Sequence, residues 1–192
     1  MKKRTLLIIA GISFIIFLLI LINLNNLQFA DNSVNLLINK IQNPFLVNTA
    51  LIIGVLLEPI NMIVLCLILS IILFYQGYKK ESFVFSIISL ISGILIYSLK
   101  EIIQRTRPEN IIEKGFSFPS GHALISIVFF GFFIYFFKNK KIGKVIGLLL
   151  SFFILVICFS RIYLGVHWIT DVLGGFFLGL IILLAGISFL KN

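Results

Sequence analysis

Charge is scarce in this chain. Aspartate, glutamate, lysine and arginine make up only 12% of its 192 residues, against 60% hydrophobic ones. A water-soluble domain of this length needs far more polar side chains to cover its surface. A soluble globular protein is thereby excluded. Cysteine is equally sparse: Cys66 and Cys158 each sit inside an apolar run, without polar partners or metal-ligand spacing. They read as small core hydrophobes with no assigned role. The acids number seven and form no cluster suited to Mg²⁺. Internal repeats and low-complexity tracts are missing too.

Long apolar runs fill the space. They span Leu6–Leu24, Leu51–Tyr75, Phe83–Leu99, Ala123–Phe137, Ile142–Phe159 and Val172–Leu190. A helix crosses the hydrocarbon core with roughly 20 apolar residues, about 17–25 being usual. The fourth run is short, and Pro119-Ser120-Gly121-His122 is expected to supply its first turn. Six spans and little else are therefore expected, in one domain over residues 1–192. "MKKR" resembles the start of a signal peptide, but the apolar run behind it is longer than the usual ~7–15 residues and no small-residue cleavage site follows. An uncleaved first helix is the expectation.

With the N-terminus in the cytoplasm, ten basic residues fall inside and six outside, among them Lys100, Arg105, Arg107 and Arg161. That bias obeys the positive-inside rule and places the C-terminus in the cytoplasm as well. The net charge of +9 needs no nucleic-acid partner, because basic residues flanking spans are explained by headgroups and topology. Residues 25–48 form the longest polar connection. The apolar positions Val34, Leu36, Leu37, Ile38 and Ile41 suit a short amphipathic helix on the membrane surface. Gly143/Gly147 and Gly175/Gly179 have the spacing of close helix packing.

Three polar stretches remain, all on the outer face of this topology. In chain order they are "KEIIQRTRP" (Lys100 to Pro108), "PSGH" (Pro119 to His122) and "SRIYLGVHWITD" (Ser160 to Asp171). Complete and in this order, they resemble the three signature motifs of the type 2 phosphatidic acid phosphatase family, whose site vanadium-dependent haloperoxidases share. The resemblance covers most of the chain and says least about residues 25–48. It implies an all-α polytopic membrane protein with six transmembrane helices in a bundle, of the acid phosphatase/vanadium-haloperoxidase-like type.

The residues carry the same chemistry on their own terms. Phosphoryl transfer is catalysed mainly by positioning and electrostatic stabilisation. Arginine's planar fork grips two phosphate oxygens at once. Of four arginines among sixteen cationic residues, three are Arg105, Arg107 and Arg161. For Arg105, which the family motif does not specify, an anchoring role at a helix end is the preferred reading. "PSGH" reads as a helix start: Ser120 can cap, Gly121 lets an anion approach, and free N–H groups at the positive helix end point at it. Both histidines of the chain fall in motifs. His167 and Asp171 are four apart and would share a helix face, where a carboxylate can fix one ring nitrogen and free the other.

By resemblance, His167 is the nucleophile that forms a phosphohistidine, Asp171 orients it, and His122 is the general acid. Lys100, Arg107, Ser120, Gly121 and Arg161 cradle the phosphate, with no metal and no cofactor. Glu58, inside the second apolar run and followed by Pro59, is expected near the interface, where a helix starts or kinks; lining a substrate entrance is the second reading. Trp168 is expected to be an interfacial belt residue.

The expected function is hydrolysis of a lipid phosphomonoester or diphosphate in a cell membrane, with the site on the extracytoplasmic side at headgroup depth. Undecaprenyl diphosphate, phosphatidylglycerophosphate and phosphatidic acid are family substrates that fit, and the first is preferred. Asn-, Lys-, Ile- and Phe-rich usage suggests an AT-rich bacterial genome. A lipid phosphotransferase would use the same site with another acceptor. A non-catalytic lipid carrier would scatter its polar residues at mid-membrane, whereas here they gather at one face. The residues leave oligomeric state open.

Overall fold

In the computed structural model of the protein, which describes residues 2–108 and 113–191, the chain forms eight helices and, among the described residues, no strand. These are α1 (Lys3–Ile22), α2 (Gln28–Ile41), α3 (Pro44–Leu56), α4 (Pro59–Tyr75), α5 (Lys79–Ile103), α6 (Gly121–Phe137), α7 (Gly143–Tyr163) and α8 (Ile169–Phe189). Four of them, α1, α5, α7 and α8, are long and apolar enough to cross a membrane singly. The protein is a multi-pass membrane protein. Most of the outward surface of these helices is aliphatic or aromatic, as a lipid-facing bundle requires.

The six expected spans are modified at two places. The second run breaks at Leu57-Glu58, so that α3 and α4 reach spanning length only together, bent by 49°. Pro59 causes the break: it occupies the first position of α4, where its missing N–H costs nothing, and it bars the helix from continuing through. The fourth run begins at Gly121 and ends at Phe137, 17 residues in all. Only Gly121 and His122 of the expected first turn join the helix, which leaves α6 at the short end of the spanning range.

Helices α1 and α6 pack on α8, and α4 packs on α5. The core is built around Phe85, Phe118, Leu124, Val128 and Phe132, all fully or almost fully buried. At the α6–α8 crossing a side chain on Gly175 would strike the Ser120 carbonyl, and one on Gly179 the Leu124 carbonyl. That pair packs backbone on backbone as its spacing predicts. In the other pair only Gly143 does so, against the Phe137 and Lys138 backbone at the turn into α7; Gly147 meets the Ile134 side chain at ordinary contact distance.

Residues 25–48 hold more structure than expected. The amphipathic helix is present as α2, but its inner face packs on protein. Ile38 joins Ala50, Tyr163, Leu164 and Val166 in a second, smaller core. Tyr163 staples this layer to α7: its hydroxyl accepts from Asn43 N (2.9 Å) and donates to Ile41 O (3.0 Å). Gln42 Nε2 donates to the Tyr163 carbonyl at 2.9 Å. The layer caps the same end of the bundle as the turns after α5 and α7. Leu6, Lys138 and Lys191 line a common cavity at the other end.

Candidate active site

Three segments meet at the capped end. Helix α5 runs to Ile103 and stops at Gln104, which takes a left-handed conformation (φ 50°). This turns residues 105–107 back across the bundle. Phe118-Pro119, joined by a cis peptide, leads into α6 at Ser120. Helix α7 ends in a turn at Gly165 (φ 64°), and α8 starts behind Trp168. The Ser120 N–H donates to the Asp171 carbonyl at 3.0 Å and ties the starts of α6 and α8 together.

A cleft of about 560 Å³ opens between these segments and the α3–α4 break, lined by Lys100, Arg107, Gly121, His122, Arg161 and His167 together with Gly54, Glu58 and Pro59. Six of the eight residues singled out by motif thus face one space. The other two lie elsewhere. Asp171 stands behind His167, as an orienting group should. Ser120 is the residue before α6 but makes no capping bond through its side chain, and its buried hydroxyl has no partner among the described residues.

Two guanidinium groups converge on a single anion. The Glu113 carboxylate bridges Arg107 Nη1, at 2.8 Å, and Arg161 Nη2. A bound oxyanion is held in this way by planar forks. Arg161 is 1% exposed, and its Nε and Nη1 have no hydrogen-bond partner among the described residues. A buried cation with spare donors is costly unless an acceptor completes it, so its environment is built for a further anionic oxygen. Gly54 makes room for this guanidinium, because a Cβ there would collide with Arg161 Nη1. Lys100 Nζ donates to Phe116 O at 2.7 Å, which fixes the ammonium at the cleft wall.

His167 does not lie on a helix with Asp171. It precedes Trp168, the capping residue of α8, and Asp171 is the third residue of that helix. The four-residue spacing works through the cap: Asp171 Oδ2 accepts from Trp168 N at 2.9 Å and so faces back toward His167 Nδ1, 3.5 Å away. That gap is wider than a good hydrogen bond; catalytic contacts of this kind commonly tighten only with substrate bound. With Nδ1 toward the carboxylate, Nε2 turns to the cleft, 3.3 Å from Arg107 Nη1. His122 Nε2 is 3.0 Å from the Gly54 carbonyl. A carbonyl only accepts, so that nitrogen carries the proton.

Burial pushes the His167 imidazole down to about 3, against the opposing pull of Asp171. Neutral imidazole, the nucleophilic form, is thereby held throughout the physiological range. Because the folded pKa lies below the ordinary 6.5, the fold keeps this contribution above that value and loses it as pH falls from there toward 3. Histidine-selective ¹⁵N spectra in detergent are expected to show the His167 ring still neutral at pH 5. A titration midpoint near 6.5 would contradict the geometry.

Several site residues escaped the motifs. Arg105 is no anchor at the surface: it is half-buried between two carboxylates, Asp31 and Asp171, each at 2.6 Å. Asp31 had no signal beyond being the one acid in the polar connection. Glu58 and Pro59 mark the start of α4 and the bend after α3, as expected, and they also border the cleft. Trp168 donates from Nε1 to Thr106 O at 2.9 Å and pins the segment that carries both arginines.

Comparison with known proteins points to one family. The model of the PAP2 superfamily matches residues 81–192. Phosphatidylglycerophosphatase B of Bacillus subtilis (strain 168) is 31% identical over 185 residues, covering 89% of this chain and 90% of the relative. Undecaprenyl-diphosphatase of Sulfolobus acidocaldarius is 28% identical over 119 residues, 57% of this chain and 55% of that one. The crystal structure of a transmembrane PAP2 type phosphatidylglycerolphosphate phosphatase from Bacillus subtilis superimposes with a TM-score of 0.84 at 28% identity, covering 94% of both chains.

Proposed function

The chain belongs to the PAP2 superfamily, and from that premise we propose that it is a membrane lipid phosphatase working through a phosphohistidine on His167. The observation that carries the reading is the single cleft in which His167 Nε2, His122, Lys100, Arg107 and Arg161 come together. In the first step Nε2 attacks phosphorus while the bond to the lipid oxygen breaks. His122 supplies the proton that oxygen needs. Arg107, Arg161 and Lys100 hold the non-bridging oxygens, and the start of α6 at Gly121 adds free N–H groups. In the second step water attacks the phosphohistidine, His122 takes the water's proton, and the P–N bond breaks to release inorganic phosphate. Asp171 keeps Nδ1 protonated in both. The protein cations supply the charge that Mg²⁺ supplies elsewhere.

Phosphatidylglycerophosphate is the substrate we favour, because relatives matching nearly the whole chain carry that name. Undecaprenyl diphosphate, favoured by the sequence reading, comes second with the archaeal relative as its support. The headgroup enters beside Glu58-Pro59 while the hydrocarbon tail stays in the bilayer. We place the site on the extracytoplasmic side and both termini in the cytoplasm, as the distribution of lysine and arginine favours. The test is phosphate release by purified protein in detergent, on phosphatidylglycerophosphate, phosphatidic acid and undecaprenyl diphosphate. Activity is expected to survive EDTA and to be blocked by vanadate, which copies five-coordinate phosphorus. Loss on chelation that Mg²⁺ restores would overturn the mechanism. Phosphate that appears only on an added lipid acceptor would make the protein a phosphotransferase.

A further inference from the structure

Behind His167, on the side away from the cleft, lies a closed polar network that joins the first and third motif stretches to Gln28 and Asp31 of α2. Arg105 stands at its centre, its side chain 9% exposed. Nη1 donates to Asp171 Oδ1 and to Thr170 Oγ1, both at 2.6 Å. Nη2 donates to Asp31 Oδ2 at 2.6 Å and reaches Gln28 Oε1 at 3.4 Å. Asp31 in turn accepts from Thr170 N (3.1 Å) and Thr170 Oγ1 (2.7 Å), at the first turn of α8. Its carboxylate therefore sits where a helix start favours negative charge. Both carboxylate side chains are wholly buried; Asp31 accepts three hydrogen bonds and Asp171 two.

We propose that Arg105, held from behind by Asp31 of α2, is the positioning residue that locks the Asp171 carboxylate and thereby the orientation of the His167 ring. The proposal rests on the reading of His167 as nucleophile. Asp171 must present one oxygen to His167 Nδ1 and keep it there. Its Oδ2 is aimed by Trp168 N, but one bond leaves the carboxylate free to rotate about its own axis. The bond from Arg105 to Oδ1 removes that freedom. The arginine needs its own anchor, because a guanidinium bound only to Asp171 could swing with it. Asp31 supplies that anchor from a helix outside the matched family region. Arg105 and Arg107 thus brace opposite ends of one His–Asp pair, at Asp171 Oδ1 and at His167 Nε2. The network keeps a net negative charge, since one cation faces two buried anions, and the Asp171 carboxylate is left facing a neutral His167 ring.

A merely structural staple between α2 and α8 would use the same contacts, so the test separates the two. Arg105→Gln, Arg105→Lys and Asp31→Asn are to be purified in detergent and assayed on phosphatidylglycerophosphate, with thermal unfolding followed alongside. Arg105→Gln is expected to lower kcat roughly 10–100-fold, as small misplacements of reacting groups do, with KM within about twofold, since no substrate contact changes. Lysine at 105 recovers part of the loss, because it keeps the charge but cannot fork to both carboxylates. Asp31→Asn shows a smaller loss in kcat, and the double variant loses less than the product of the single losses. In ¹⁵N spectra the His167 ring passes from one tautomer, protonated on Nδ1, to a mixture in Arg105→Gln. Unchanged kcat and an unchanged ring spectrum, with only the unfolding temperature lowered, would overturn the proposal. The ring spectra do not depend on turnover. A wild type inactive on every lipid phosphate would sink the phosphatase reading, while the tautomer comparison would still decide the clamp. Should Arg105→Gln fail to fold, Asp31→Asn and Arg105→Lys carry the same comparison.

Discussion

His167→Ala is expected to abolish phosphate release, by about 10⁴-fold or more, the scale on which loss of an activated nucleophile is measured. No other side chain in the cleft can replace it. His122 has its Nε2 on the Gly54 carbonyl, and the other polar side chains that line the cleft are cations and the two carboxylates Glu58 and Glu113. The variant should still fold and insert, because residue 167 lies in the turn between α7 and α8, outside both helices. What the ring leaves behind is a small void and an Arg107 that has lost one neighbour while keeping Val166 O at 2.7 Å. Two measurements check this. Steady-state phosphate release from detergent-purified protein should fall to background. Rapid acid-free quenching with labelled substrate should trap phosphate on the wild type and none on the variant, in a linkage that acid cleaves and base does not. Residual turnover within tenfold of wild type would remove His167 from the nucleophile's place.

How far the sequence could be read follows from the kinds of signal it holds. Apolar runs mark where a chain must enter lipid, so the multi-pass character was plain from them. They do not mark where a run is broken, and Pro59 inside the second run converts one expected span into a bent pair. The motif residues were legible because rare residue types recur at fixed spacing: both histidines and two of four arginines line one cleft. Spacing alone misled for His167 and Asp171, whose contact comes from the cap of α8 and not from a shared helix face. Ser120 was placed at the phosphate on its position in "PSGH", yet its hydroxyl is buried and the cleft wall is formed by Gly121 and His122. The contact between Asp31 and Arg105 was invisible for a different reason. Their pairing spans 74 positions, and nothing local in either stretch announces a partner so distant. A polar connection predicted to lie on the membrane surface turned out to supply the buried acid behind His167 and Asp171.

His122→Ala is the second large loss expected, and its size should depend on the leaving group. A general acid contributes roughly 10²–10⁴-fold when the departing oxygen is strongly basic. The alkoxide of a glycerol-based lipid is such an oxygen and cannot leave without a proton. An aryl phosphate leaves as a phenolate of much lower basicity and needs little help. On phosphatidylglycerophosphate the variant should therefore lose about 10²–10⁴-fold in kcat, while phosphohistidine formation from p-nitrophenyl phosphate, read as a burst of nitrophenolate, should fall far less. The hydrolytic step shows the mirror image. Water attacking the phosphohistidine must give up a proton, so without His122 the intermediate should accumulate on His167 after the burst. The geometry makes this a separable test. His122 belongs to α6 and is bonded to α3 through Gly54, whereas His167 is braced by Asp171 and Arg107, so removing one ring leaves the other's supports in place. Equal losses on the lipid and the aryl ester would mean that His122 positions phosphate and transfers no proton.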